Sequence, residues 1–242
     1  MIRLIYIIIL IYFLIGGIGF YFINRKKASE VARKSYTKFI TYFFIINILF
    51  FSITVNSVVF KYLSLVIIVA GFFELFKLFR ENDYKQKGFF VLSSLIFTLL
   101  SVGFFFFSDL QKELILFAFL VLSIFDSFSQ ITGQLWGSTK LFPEISPKKT
   151  VGGLVGGAII ALASSLLLND LYHGTFLKSL LIGAGVVFFA FAGDIAASFY
   201  KRKYNVKDYS NFIPGHGGFL DRFDSLIAGG AWVAFCIYVF NF

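Results

Sequence analysis

The sequence predicts an all-α, polytopic integral membrane protein of about eight transmembrane helices, with long cytosolic loops forming a polar site. Three observations carry this. First, of 242 residues 58% are hydrophobic and only 14% charged, with mean hydropathy +0.84. A soluble chain has about 45–50% apolar and about 25% charged residues, so the excess apolar surface needs lipid as its solvent. Second, the apolar residues fall in runs approaching the roughly 20 residues that cross a bilayer. Third, the polar segments between runs alternate sharply in charge.

The runs lie at about 2–24, 39–56, 58–76, 88–107, 114–133, 153–168, 177–198 and 225–241. Each is read as a helix, because an open strand would leave backbone groups unpaired in hydrocarbon. The first run is too long for a signal-peptide core and no small-residue cleavage site follows, so it is read as a retained span. The sixth and eighth are short and glycine-rich. Gly153, Gly156 and Gly157 in one, and Gly229 and Gly230 in the other, permit close helix approach. Residues 1–242 form one membrane domain, with no repeat or soluble module.

Net charge is +9. In a membrane chain Lys and Arg report topology and suit anionic headgroups, so nucleic acid is not an expected partner. One set of loops holds Arg25, Lys26, Lys27, Arg33, Lys34 and Lys38; then Lys77, Arg80, Lys85 and Lys87; then Lys140, Lys148 and Lys149; then Lys201, Arg202, Lys203, Lys207 and Arg222. These are eighteen of the 22 basic residues; only Arg3, Lys61, Lys112 and Lys178 lie opposite. The rich face is expected in the cytosol, with both termini outside. The single cysteine, Cys236, excludes disulfides and cysteine zinc sites and is read as a small hydrophobe.

Loops near 56–57, 108–113 and 169–176 are short connectors. The cytosolic loops 134–152 and 199–224 are long, and both open on one side, so they can form one site. Asp194 lies at the cytosolic end of the seventh span, four residues before Ser198 and on the same helix face. An acid there either reaches water at a helix end or faces a cavity. Asp221 and Asp224 open the eighth span. They are read equally as helix caps and as ligands of Mg²⁺, which favours one or two carboxylates with water and phosphate.

Before them stands Pro214-Gly215-His216-Gly217-Gly218, a turn whose amides could cradle an anion. His216 is a candidate for bonding a phosphate or a substrate hydroxyl; the plainer alternative is a surface residue. Lys201, Arg202, Lys203 and Lys207 are candidate phosphate ligands or a stop-transfer cluster facing anionic lipid; Lys203 reads as a topology marker, and Lys207, beside Asp208, as a ligand. In the other loop, Ser146-Pro147 starts a turn, Lys148 and Lys149 bring charge, and Thr150 caps the sixth helix. Asp126 either completes a polar cavity or bonds to nearby Ser and Gln side chains.

These motifs together resemble the phosphatidate cytidylyltransferase (CDP-diglyceride synthetase) family. The family signature has Ser, two residues, Lys-Arg, four residues, Lys-Asp and a small residue, then Pro, His-Gly-Gly and Asp-Arg-x-Asp. Here Ser198, Lys201-Arg202, Lys207-Asp208, Ser210, Pro214, His216-Gly217-Gly218 and Asp221-Arg222-Phe223-Asp224 stand in that register. Ser146-Pro147-Lys148-Lys149-Thr150 is similar to the family's upstream loop, and Gly193-Asp194 to its Gly-Asp. The resemblance covers residues 126–224. Departures are Gly152 and Ala197, where the family usually has Glu; Tyr200, for an aliphatic residue; and Gln130 and Gln134, for Tyr and Arg.

The resemblance implies transfer of a cytidylyl group from CTP to phosphatidate, giving CDP-diacylglycerol and pyrophosphate. It implies Mg²⁺, with room for a second cation, held by Asp194, Asp221 and Asp224. Lys207, Asp208 and Arg222 join these in the catalytic set. Ser146, Lys148, Lys149, Ser198, Lys201, Arg202, His216, Gly217 and Gly218 form the substrate-binding set. CTP and membrane phosphatidate are the expected partners, and a homodimer is compatible with this reading. The alternatives are a related transferase acting on a polyprenyl or ether lipid, and a degenerate, non-catalytic paralogue.

Overall fold

The computed structural model describes residues 2–25 and 28–240. Lys26 and Lys27, counted above with the basic face, lie outside the described residues. Eight α-helices follow in order among the described residues, with one small hairpin: α1 (Ile2–Asn24), α2 (Ser29–Val55), α3 (Ser57–Glu81), α4 (Lys87–Phe107), α5 (Lys112–Trp136), β1 (Lys140–Phe142), β2 (Ser146–Thr150), α6 (Val151–Leu167), α7 (Phe176–Lys203) and α8 (Leu220–Phe240). A 3-10 turn, Asn169–Leu171, links α6 to α7. Seven of the helices are long and apolar enough to cross a membrane, and the chain is an integral membrane protein. The eighth, α6, has 17 residues; at 1.5 Å per residue it reaches about 25 Å, a few ångström short of a bilayer core.

Of the boundaries that differ from the sequence reading, three have a reason visible in the residues. α2 starts ten residues before the predicted run, because its polar first turns are good helix formers joined by an i,i+4 pair, Lys34 to Glu30 at 2.7 Å. α7 continues to Lys203, where three basic residues complement the negative end of the helix dipole. α8 begins at Leu220, so Asp221, Arg222 and Asp224 are helical and the connecting loop shrinks to residues 204–219. The segment 137–150 is likewise no plain loop. Its turn falls at 143–145, and Ser146-Pro147, expected to start a turn, instead lie on β2, with Phe142 opposite Ser146 and Lys140 opposite Thr150. A two-stranded ribbon tolerates Pro147 because edge strands leave some amides unpaired.

Small residues set the closest helix contacts. α5 and α6 form one tight pair: a Cβ on Gly156 would come within 2.6 Å of Thr132 Oγ1, and one on Gly157 would strike Ser129. The expected cap of α6 is present, with Thr150 Oγ1 accepting from Gly153 N at 3.1 Å. α8 is the most enclosed span, packed against α4 and α7, while α1 is the most peripheral and shows its side chains outward.

Antiparallel packing gathers the polar segments at opposite ends. At one end Lys61 at the start of α3 pairs with Asp109, between α4 and α5, at 2.7 Å. At the other, the 204–219 loop lies across the end of α3 and the start of α4. There Tyr200 Oη donates to Leu75 O at 2.7 Å, and Asn82 Nδ2 donates to Tyr204 O at 3.5 Å. Gly215 of that loop lies against Lys38 of α2. The two basic, motif-bearing segments therefore share one end of the bundle.

Candidate active site

The last turns of α7 anchor the site. Ser198 Oγ donates to Asp194 Oδ1 one turn earlier, at 3.4 Å. Asp194 Oδ2 pairs with Lys149 Nζ of β2 at 2.5 Å. Lys149 also lies over the Phe191 ring, 4.6 Å from its centroid. Arg202 ties the hairpin that carries Lys149 to the loop after α7: its Nε donates to Ile145 O of the hairpin turn at 3.1 Å, and its Nη1 to Val206 O of that loop at 2.8 Å. Arg202 was expected to meet phosphate. In this arrangement two of its donors hold backbone, because the hairpin turn offers a carbonyl beside α7.

Lys201, one residue earlier, turns inward. It pairs with Asp221 Oδ1 at 2.5 Å, and the two side chains are 9% and 2% exposed. Asp221 Oδ2 accepts from Tyr209 N and Gly218 N, both at 2.8 Å. Both oxygens of Asp221 are thus engaged by the protein. Buried Tyr209, 5.2 Å below the Lys201 ammonium, donates its hydroxyl to Ala197 O at 3.1 Å. Burial, reinforced by the charges of Asp224 and Asp221, holds the Tyr209 phenol well above its usual pKa, so it stays a donor.

The glycine turn is closed on itself. Ile213 N donates to Gly217 O at 2.7 Å and His216 N to Ile213 O at 2.9 Å. Gly215 and Gly217 have φ of +74° and +86°, a region glycine enters without strain. The next amides are also occupied. Gly218 N is on Asp221, and Phe219 N and Leu220 N donate to Glu74 of α3 at 2.9 and 2.8 Å. Of the amides of the Pro214–Gly218 turn, Gly218 N is thus taken by Asp221, and the two amides that follow the turn by Glu74. His216 is partly covered and stacks on Tyr42 of α2, with ring centroids 6.4 Å apart. Burial first, then the nearby Arg222 charge, lowers its pKa from the ordinary histidine value, which favours the neutral imidazole.

Beside these contacts lies an acidic crevice. Asp126 of α5, Asp194 of α7 and Asp224 of α8 are close enough that the Asp194 charge acts on both others. Lys149 and Arg222 act on Asp126, and Lys201 and Lys149 on Asp224. Asp126 is exposed, and Asp194 and Asp224 are partly covered. The Tyr42 hydroxyl faces Asp126 and Ser127. Asp224 Oδ1 accepts from Ser225 N at 2.7 Å. α7 and α8 meet closely here, since a Cβ on Gly193 would lie 3.0 Å from Asp224 O.

Among the described residues no three His, Cys, Asp or Glu side chains form a self-sufficient metal site. The expected trio Asp194, Asp221 and Asp224 splits, because Asp221 is held by Lys201 and two amides. Asp194 and Asp224, with Asp126 across the crevice, still offer the sparse set of carboxylates that Mg²⁺ takes when phosphate and water supply the rest. The donor set fits that ion.

Lys148, Lys207 and Asp208 are exposed, with Asp208 against Gly217. Ser146 is partly covered at the start of β2. Sequence reasoning missed Glu74 and Tyr42, which lie on α3 and α2 in spans that showed only hydrophobicity, and it counted Lys38 of α2 only as a loop charge. A lone acid in an apolar run was the available signal for Glu74. The departure at Gly152 also has a local cause: a Cβ there would come within 2.8 Å of Trp136 O.

The sequence pattern of the Cytidylyltransferase family matches residues 3–240. The chain belongs to that family. It is similar to phosphatidate cytidylyltransferases of Staphylococcus epidermidis (39% identical over 132 residues, 52% of this chain and 50% of that protein). The same holds for those of Rickettsia bellii (37% over 128 residues, 50% and 55%) and Staphylococcus saprophyticus (40% over 131 residues, 52% and 50%). The chain spans about half the length of the curated relatives it matches.

Proposed function

We propose that the protein transfers the cytidylyl group of CTP to phosphatidate, releasing pyrophosphate and forming CDP-diacylglycerol. The observation that carries this is the Lys149–Asp194 pair, which joins the Ser146–Thr150 strand to α7. It brings cations close to three carboxylates from three helices at one end of a membrane bundle. A site so placed can meet a lipid phosphate from the bilayer and a nucleotide from water. By the charge of its loops, this end faces the cytosol, with both termini outside.

A phosphate oxygen of phosphatidate attacks the α-phosphorus of CTP. The bond from that phosphorus to the bridging oxygen breaks, and pyrophosphate leaves with the bond electrons. The acceptor is already ionised near neutral pH, so no strong base is required. Rate enhancement comes from alignment and charge stabilisation. Asp194 and Asp224 would hold Mg²⁺, which when bound neutralises phosphate charge. Lys149 and Arg222 supply fixed positive charge inside the crevice, and exposed Lys148 and Lys207 add to it. Ser146 and Ser198 offer hydroxyls, and neutral His216 a ring nitrogen for a phosphate or hydroxyl.

The test is pyrophosphate release by the purified full chain, with CTP, Mg²⁺ and phosphatidate in mixed micelles. Parallel arms contain a polyprenyl phosphate, an ether lipid or EDTA. Release with phosphatidate, lost with EDTA, is expected. Release only with another lipid would transfer the reading to that acceptor. No release with any acceptor would sink it.

A further inference from the structure

We propose that Glu74, outside every recognised motif, is a positioning residue that sets the first turn of α8 and so aims Arg222 and Asp224 into the crevice. Resting on the cytidylyl-transfer reading above, this assigns a role in that reaction to a helix otherwise read as a plain span.

Glu74 sits in the run Ala70-Gly71-Phe72-Phe73-Glu74-Leu75-Phe76 and is 3% exposed. A carboxylate in a span is costly and usually has a defined partner. Here the partners are three donors: Ser210 Oγ at 2.7 Å, Phe219 N at 2.9 Å and Leu220 N at 2.8 Å. The two amides are the unpaired donors every helix start presents, and they are met by an acid from another helix rather than by a local cap. Asp221 meets the amide just before them. The start of α8 is therefore fixed at two adjacent places, by Asp221 from within and by Glu74 from α3.

This also explains the glycine pair without a ligand. A Cβ at Gly218 would strike the Glu74 carboxylate, and one at Gly217 would lie 2.6 Å from Asp221 Oδ2. Glu74 is too enclosed to touch a substrate phosphate, so it acts only through what it holds. Ser210 extends the hold to the loop that carries Lys207 and Asp208.

The test compares wild type, Glu74→Ala and Glu74→Gln as full chains in detergent micelles. Gln retains one oxygen acceptor but turns an amide donor toward a backbone N–H, so it should give the smaller defect. Two readouts do not depend on how much protein is folded: the Mg²⁺ concentration at half-maximal rate and the KM for CTP. At least one should rise about tenfold in Glu74→Ala, the order expected when several hydrogen bonds to a helix start are lost. Amide hydrogen exchange of a peptide spanning 218–225 should accelerate by a similar factor, while peptides of α5 and α6 stay unchanged. If Glu74→Ala does not fold, Glu74→Gln carries the same comparison. Unchanged exchange, or accelerated exchange with both kinetic constants unmoved, overturns the proposal. If wild type transfers cytidylyl to no acceptor, the functional reading fails, and exchange at 218–225 still decides whether Glu74 fixes the helix start.

Discussion

Asp221 and Asp224 occupy the same helix face in sequence, yet their surroundings divide their work. Asp221 has an ammonium and two amides on its two oxygens, whereas Asp224 has one amide and faces Asp194 across the crevice. Asp224→Asn should therefore keep its fold and lose at least about 100-fold in kcat, the order seen when a fixed charge-stabilising group is removed. Thermal unfolding beside pyrophosphate release checks both halves. Lys201→Met should act on stability instead. It leaves Asp221 buried without its cation, a change costing about 3–5 kcal/mol, read as a lowered denaturation midpoint. The motif residues were legible because their order along the chain is distinctive. The partition between Asp221 and Asp224 was not, because it depends on which of two nearby carboxylates Lys201 reaches.

Arg202 and the β1–β2 hairpin show the same limit for elements. The sequence displayed a basic, turn-forming segment and a basic helix end, but not that one would clamp the other. Arg202→Ala should free the hairpin, loosen Lys149 from Asp194 and raise the KM for CTP several-fold, with about 1 kcal/mol lost per released hydrogen bond. An unchanged KM would show that the hairpin holds Lys149 without the clamp. At the α5–α6 contact, Gly157→Val should force the helices apart at a cost of about 1–3 kcal/mol or more, read in the midpoint of thermal aggregation. The glycine clusters were legible as close contacts. The extra turns at the start of α2, the end of α7 and the start of α8 were missed because hydropathy follows the apolar run, while a helix continues wherever backbone bonding and end charges favour it.

For the whole molecule, the loop charges place the motif segments on one face, opposite the Lys61–Asp109 pair. Cys236 is fully buried and gives a silent background for labelling. In intact cells an impermeant maleimide should label Gln111→Cys and leave Glu144→Cys unlabelled until the membrane is opened; the reverse result would invert the topology. Hydropathy and charge alternation along the chain determined the solvent, the helical class and the gathering of basic loops, because a bilayer constrains every span by the same local rule. The motif order determined the family. Only the tertiary structure decided that Glu74 and Asp221 engage the amides at the start of α8, and that Asp126, Asp194 and Asp224 share a crevice. The Glu74 contacts and the crevice join residues tens to more than a hundred positions apart, and no local pattern specifies which helix turn meets which.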